Sequence, residues 1–236
     1  MSAACERIDG AGPVLLLCDH ASDHVPADID LGIDPALLAK HIAIDIGAAP
    51  LTRALAERLG APALLGTVSR LVIDLHRQAD HPGLIPPVSD GHVVPGNAAP
   101  DRLGRIARFH APYHAAIDAE VRATGPALIL AIHSFTPRLE AGNAPQRQWE
   151  VGVLYNRDTR AARPAVAWLE AQGLIVGDQE PYSGRILNAT LNRHAEANGI
   201  PSIAIEVRND LIRDAAGVAR WAGILAGLAQ ALHPAA

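Results

Sequence analysis

The chain has 236 residues, of which 49% are hydrophobic and 19% charged, with a formal net charge of −5 at pH 7. That length suits one sizeable domain spanning 1–236, and the negative balance lacks the basic stripe that nucleic-acid binding requires. Cys5 and Cys18, the only cysteines, do not make a disulfide framework, and no leader peptide or apolar run of about 18 residues is apparent, so a cytoplasmic protein with no membrane partner is expected.

Aromatic residues make up only 3% of the chain, so Leu, Val, Ile and Ala must build the core. In chain order, Val14-Leu-Leu-Leu-Cys18 is an apolar run that stops on Asp19-His20-Ala-Ser-Asp23, as a buried strand ending on polar residues would. Asp34-Pro35 has the form of a helix cap followed by a first helical proline, and a short helix is expected within 33–44. An amphipathic helix follows over 46–59, with Leu51, Leu55 and Leu59 spaced by four and Gly60 as its stop. Residues 63–66 and 71–75 read as short strands, the second ending on His76-Arg77. From Gln78 to Pro100 the chain carries five prolines and no periodicity, which reads as a long substrate-covering loop. A long helix is expected over 101–124, then strands at 127–132, 150–155 and 174–176 with a helix at 159–172 between the last two. A helix at 188–198, a strand at 202–207 and a closing helix from 210 to 232 complete the chain. Strands alternating with helices, several of them apolar on both faces, predict an α/β fold: a three-layer helix–sheet–helix sandwich around a mixed, largely parallel sheet.

Polar residues cluster at three strand ends: His20 with Asp23, His133, and Glu206. Ligand sites in open α/β sheets lie beyond the carboxyl ends of strands. A catalytic zinc commonly takes three N or O ligands and leaves a position for water, a count that His20, Asp23 and His133 satisfy. Glu206 would then be the general base. Each residue also has a plainer structural role: a cap for either histidine, an Asx-turn for Asp23, an ion pair with Arg208 for Glu206. Their joint placement is what points to chemistry. Arg77 would project over the same sheet edge, ready to pair with a carboxylate or polarise a carbonyl. Arg70 is expected at the opposite end of its strand in a structural role. Arg208 and Asn209 are candidates for holding a substrate carboxylate, and Asp45 and Asp74 for orienting a histidine or arginine.

The segments Cys18-Asp-His-Ala-Ser-Asp-His-Val-Pro26, His41-Ile-Ala-Ile-Asp-Ile-Gly47, Ser69-Arg-Leu-Val-Ile-Asp-Leu-His-Arg77, Ile132-His-Ser-Phe-Thr-Pro137 and Ile205-Glu-Val-Arg-Asn-Asp-Leu-Ile212 resemble the N-formylglutamate amidohydrolase (deformylase) family. The resemblance runs from about residue 13 to about 230. It implies a zinc-carboxypeptidase-like, phosphorylase/hydrolase-like fold, as in aspartoacylase and succinylglutamate desuccinylase. By position it implies His20 and His133 as zinc ligands, Asp23 where the zinc peptidases have Glu, Glu206 as the catalytic glutamate, and Arg77 as the arginine of an Asp-Leu-Asn-Arg motif. His76 stands where that motif has asparagine, which bears on how the substrate is held. The implied reaction is hydrolysis of a linear amide, N-formyl-L-glutamate to formate and L-glutamate, a step of histidine degradation, with a small N-acyl amino acid as the substrate. Two alternatives are a hydrolase of another N-acyl or N-carbamoyl amino acid, and a non-catalytic metal- or small-ligand-binding member of the fold.

Overall fold

The structure, a computed structural model, describes residues 5–233. Its elements in chain order begin with β1 (Cys5–Ile8), β2 (Val14–Cys18), α1 (Ala48–Leu59) and β3 (Ala63–Gly66). A small hairpin of β4 (Val88–Ser89) and β5 (His92–Val93) comes next, then α2 (Arg102–Arg105), α3 (Ala111–Thr124) and β6 (Leu128–Phe135). The second half holds β7 (Val151–Leu154), α4 (Ala162–Ala171), β8 (Val176–Asp178), α5 (Ala189–His194), β9 (Ser202–Arg208) and α6 (Ala215–Leu232). Seven of the strands form one sheet in the order β1–β3–β2–β6–β9–β7–β8. The pairs β2–β3, β2–β6, β6–β9 and β7–β8 are parallel, and β1–β3 and β7–β9 antiparallel. The expected mixed, largely parallel sheet between helices is therefore what the chain forms.

Alternation along the central strands sorts side chains onto two faces. Leu16, Leu130, Ile132, Ile203 and Ile205 pack with α1, α4 and α6 on one side. Leu15, Leu17, Ile129, Ala131 and Ala204 face the other side, against Phe109, Tyr113, Ile117 and Leu191. Because both faces are covered, β2, β6 and β7 have no exposed position at all.

Several expectations change on contact with the structure. Residues 71–75 do not form a strand: Val72 and Ile73 donate their N–H groups to Ser69 O, and Asp74 to Leu84 O, so the run crosses the core as irregular backbone. Its apolar side chains are fully buried, which is why it reads like a strand. The expected long loop over 78–100 is structured by the β4–β5 hairpin and by 3-10 turns at Pro82–Leu84 and Pro95–Asn97. The helix expected over 101–124 contains a π-turn at Ile106–His110, where Ala111 N–H bonds Ile106 O. Pro112 explains it, since a proline has no N–H to give the preceding turn and its ring crowds the carbonyl four residues back. Finally, α6 has the length and apolar composition to cross a membrane, with a mean hydropathy of 1.3. In the fold its Trp221, Ala222, Leu225 and Leu228 are core residues, and this helix corrects the expectation that no such stretch exists.

Candidate active site

Strand parity builds the site. On β2, β6 and β9, which are neighbours in the sheet, the face that carries Leu15 and Leu17, Ile129 and Ala131, and Ala204 continues to Asp19, His133 and Glu206. His133 and Glu206 are register partners across the parallel pair, so their side chains stand side by side. On the far side of Glu206 its partner is Gly152. A Cβ at Gly152 would collide with the carbonyl oxygen of Glu180 and touch Glu206 Cβ, so glycine lets the 180s segment close over this end of the sheet.

Two further residues reach the same point from the loop after β2. Asp45 N–H donates to His20 O at 3.1 Å, fixing the turn before α1 beside the end of β2. Asp45 Oδ2 then lies 3.3 Å from His20 Nδ1 and 2.9 Å from His133 Nδ1. Each imidazole has a carboxylate behind its other nitrogen: His20 Nε2 is 2.7 Å from Asp74 Oδ1, and His133 Nε2 is 3.3 Å from Asp19 Oδ2. Arg70 donates to Asp45 Oδ1 and Asp74 Oδ2, both at 3.1 Å. Asp19 is itself held by Tyr113 Oη at 2.9 Å, Thr190 Oγ1 at 3.1 Å and His76 Nδ1 at 2.9 Å.

The charges respond to this packing. Burial pushes the Glu206 carboxyl up to about 7, with Asp45 adding to the rise and His133 opposing it. Burial also works against ionisation of Asp19, yet the hydrogen bonds from His133 and His76 hold its carboxyl well below the usual range. Asp45 is likewise held low against its burial, by His20 and His133. For His133, burial favours the neutral ring, but Asp19 and Asp45 draw a proton onto it and raise it well above the ordinary imidazole value. Carboxylates in excess around two imidazoles thus demand positive charge at this point.

A divalent metal meets that demand, and the donor set fits one. His20, Asp45 and His133 each offer one ligand atom, all within 4.8 Å of one another, and Asp19, His76 and His133 form a second such group. The first group suits a catalytic ion: its members all line a cavity of about 280 Å³, whereas Asp19 does not. A carboxylate behind each ligating imidazole is the usual support for such a site. Glu206 lines the same cavity, and its Oε2 is buried with no hydrogen-bond partner. Unpaired buried acceptors are costly, so this oxygen calls for a donor such as water.

The residues expected from sequence divide clearly. His20, His133, Glu206, His76 and Arg77 line one cavity. Asp23 does not join them. It is exposed and belongs to neither donor group, and Asp45 occupies the place expected of it. Residues three apart meet on a helical turn or a tight β-turn, and 21–26 forms neither, with His24 N–H closing on Ser22 Oγ. Arg208 and Asn209 also stand away from the cavity. Arg208 pairs with Asp210 and binds the carbonyls of Gln148 and Trp149, and Asn209 is buried in a 3-10 turn. His76 has Nδ1 on Asp19 and Thr190 and Nε2 3.3 Å from Leu187 O, so it braces the wall. Arg70 reaches the site because its segment is not a strand. Asp19 escaped notice in the sequence, although counting by twos along 15, 17 and 19 reveals it.

Against known proteins, the profile of the N-formylglutamate amidohydrolase family matches residues 12–213. The crystal structure of gene product Atu2144 from Agrobacterium tumefaciens is similar at 33% identity and a TM-score of 0.92, covering 98% of this chain and 95% of that one. The N-formylglutamate amidohydrolase from Ralstonia eutropha JMP134 is similar at 21% identity and a TM-score of 0.66, covering 96% of each chain. Comparison with curated proteins gives no match.

Proposed function

The chain belongs to the N-formylglutamate amidohydrolase family, and from that premise we propose that it is a metal-dependent hydrolase of the linear amide of a small N-acyl amino acid. N-formyl-L-glutamate, giving formate and L-glutamate, is the reference substrate. The observation that carries this reading is the convergence of the Nδ1 atoms of His20 and His133 on Asp45, beside an unpaired Glu206 oxygen in the same cavity.

His20, Asp45 and His133 would hold the ion, with zinc the first choice for a nitrogen- and carboxylate-rich set that also suits cobalt or manganese. When bound, it supplies Lewis acidity toward water and the amide carbonyl. Glu206 accepts the proton of the attacking water and returns it to the leaving nitrogen. Its burial suits both halves of that task, because a carboxyl near 7 neither holds nor releases a proton too firmly. Asp74, hydrogen-bonded to His20 Nε2, keeps that ring in the tautomer that directs Nδ1 inward, and Asp19 Oδ2 stands 3.3 Å behind His133 Nε2. Arg77, expected at the oxyanion, is assigned instead to the substrate carboxylate. It lines the cavity, and its one ion pair, to Asp74, is 3.5 Å long.

Metal analysis of the purified protein, followed by formate release from N-formyl-L-glutamate and an N-acyl panel, tests the reading. About one equivalent of metal is expected, with hydrolysis lost to a chelator and restored by zinc. Turnover of only N-acetyl or N-carbamoyl amino acids would change the substrate and keep the mechanism. Protein without metal that no divalent ion activates would leave the non-catalytic reading.

A further inference from the structure

With Arg77 on the substrate carboxylate, the reacting carbonyl still lacks a hydrogen-bond donor from the chain. Its oxygen gains charge as water adds, and a donor fixed in advance stabilises that charge best. Several polar residues of the cavity are already committed. Arg70 is held by Asp45 and Asp74, His76 by Asp19, Thr190 and Leu187 O, and Ser134 Oγ by Ile46 O. Tyr182 lines the same cavity, and its phenol hydrogen has no acceptor among the described residues.

The fold clamps the segment that carries this ring. On one side Gly152 lets the Glu180 carbonyl close in beside Glu206 Cβ. On the other, a Cβ at Gly184 would come within 2.5 Å of Tyr155 N and O, so glycine lets the segment lie against the end of β7. Gln179 ties the two ends together, its Nε2 donating to Tyr155 O at 2.6 Å and its Oε1 accepting Gly184 N–H at 2.7 Å.

Arg147 prepares the hydroxyl. Its Nη1 donates to Tyr182 Oη and to Thr136 O, both at 3.2 Å, and its guanidinium lies 4.9 Å from the centre of the Tyr182 ring. A cation's N–H on the phenol oxygen turns the O–H away from Arg147 and polarises it toward donation. Burial and the charge of Glu206 keep Tyr182 protonated against the pull of Arg147, so the phenol has a hydrogen to give.

Resting on the amidohydrolase reading, we propose that Tyr182 is a catalytic residue whose O–H donates to the carbonyl oxygen of the scissile amide, and that Arg147 is its positioning residue. The hydrogen bond strengthens as that oxygen becomes an oxyanion. The phenol keeps its hydrogen throughout, and Glu206 alone carries the proton from water to the leaving nitrogen.

Tyr182→Phe keeps the ring and its stack on Arg147 but removes the donor. In the zinc-loaded enzyme it is expected to lower kcat for N-formyl-L-glutamate by about 10²–10³, with KM and bound zinc within about threefold, as for a contact made only in the transition state. Arg147→Met should lower kcat by about tenfold, and the double variant should fall no further than Tyr182→Phe, because Arg147 acts through the hydroxyl. Calorimetric binding of N-phosphoryl-L-glutamate, whose tetrahedral phosphoryl group replaces the formyl, reads the same contact without turnover. Tyr182→Phe should weaken it about tenfold or more. An unchanged kcat, a loss confined to KM or an unchanged affinity for the phosphoryl compound overturns the proposal, and losses that add in the double variant overturn the part given to Arg147. Should Tyr182→Phe not fold, Arg147→Met carries both measurements. A wild type that hydrolyses no N-acyl amino acid overturns the amidohydrolase reading. The phosphoryl compound then decides the donor by itself: weaker binding to the variant supports it, and equal binding or none overturns it.

Discussion

Asp45 Oδ2 stands between two imidazole nitrogens while Asp23 faces solvent, so exchanging each for asparagine separates two carboxylates that the sequence places on equal terms. Asp45→Asn is expected to weaken zinc binding by about 100-fold or more, exceeding the ~10–100-fold typical of outer support groups. Asp23→Asn should leave metal content and activity within about twofold; titration of zinc against a competing chelator reads both. Glu206→Gln should retain the metal and lose about 10²–10⁴ in kcat, the usual worth of a positioned base. Activity requires the ionised Glu206, so it should fall on acidification. Because the carboxyl titrates at about 7 in the protein alone and a nearby cation lowers it further, the acid limb should lie below about pH 7 and disappear in Glu206→Gln. At this scale His20, His133 and Glu206 were legible because each follows a run of apolar residues, His20 just past β2 and the other two near the ends of β6 and β9. Asp45 was legible only as a supporting residue, since 25 residues of chain separate it from His20 and no local spacing brings them together.

The elements that carry no catalytic group still set its position. From the π-turn and α3, His110 Nε2 bonds Arg77 O at 2.9 Å and His114 Nε2 bonds Leu75 O at 3.1 Å, gripping the backbone on either side of His76. His114 Nδ1 lies 2.7 Å from His194 Nε2, so the two imidazoles are packed as a buried pair. Burial, reinforced by His110 and His194, pushes His114 down to about 3, against 6.5 for a free imidazole. The unfolded chain therefore binds a proton that the folded one refuses. Stability is complete above about pH 6.5 and is lost as pH falls toward 3, at up to about 1.4 kcal/mol per pH unit. Denaturation in urea across pH 4–7 should show that slope, and His114→Gln should flatten it. The regular helices were readable from their spacing. The 71–75 segment was not, because full burial gives irregular backbone and buried strand the same apolar composition. Nor was β1, a short edge strand with Glu6 and Arg7 exposed.

For the molecule as a whole, an ion that binds only the assembled donors stabilises the fold by mass action. With free zinc at about 1,000 times its dissociation constant the gain is about 4 kcal/mol, and a chelator should lower the melting temperature accordingly; an unchanged midpoint would mean no ion is held. The layered architecture was legible from alternating strands and helices, but the strand order was not, because β9 enters the sheet between β6 and β7 and nothing local marks that insertion. The insertion matters during biosynthesis. Until residue 208 has left the ribosome, β6 keeps a bare pairing edge along Ile129–Phe135, and His133 has no Glu206 beside it. A nascent chain stalled short of β9 would present that sticky edge to its neighbours, so such fragments should aggregate and require a chaperone.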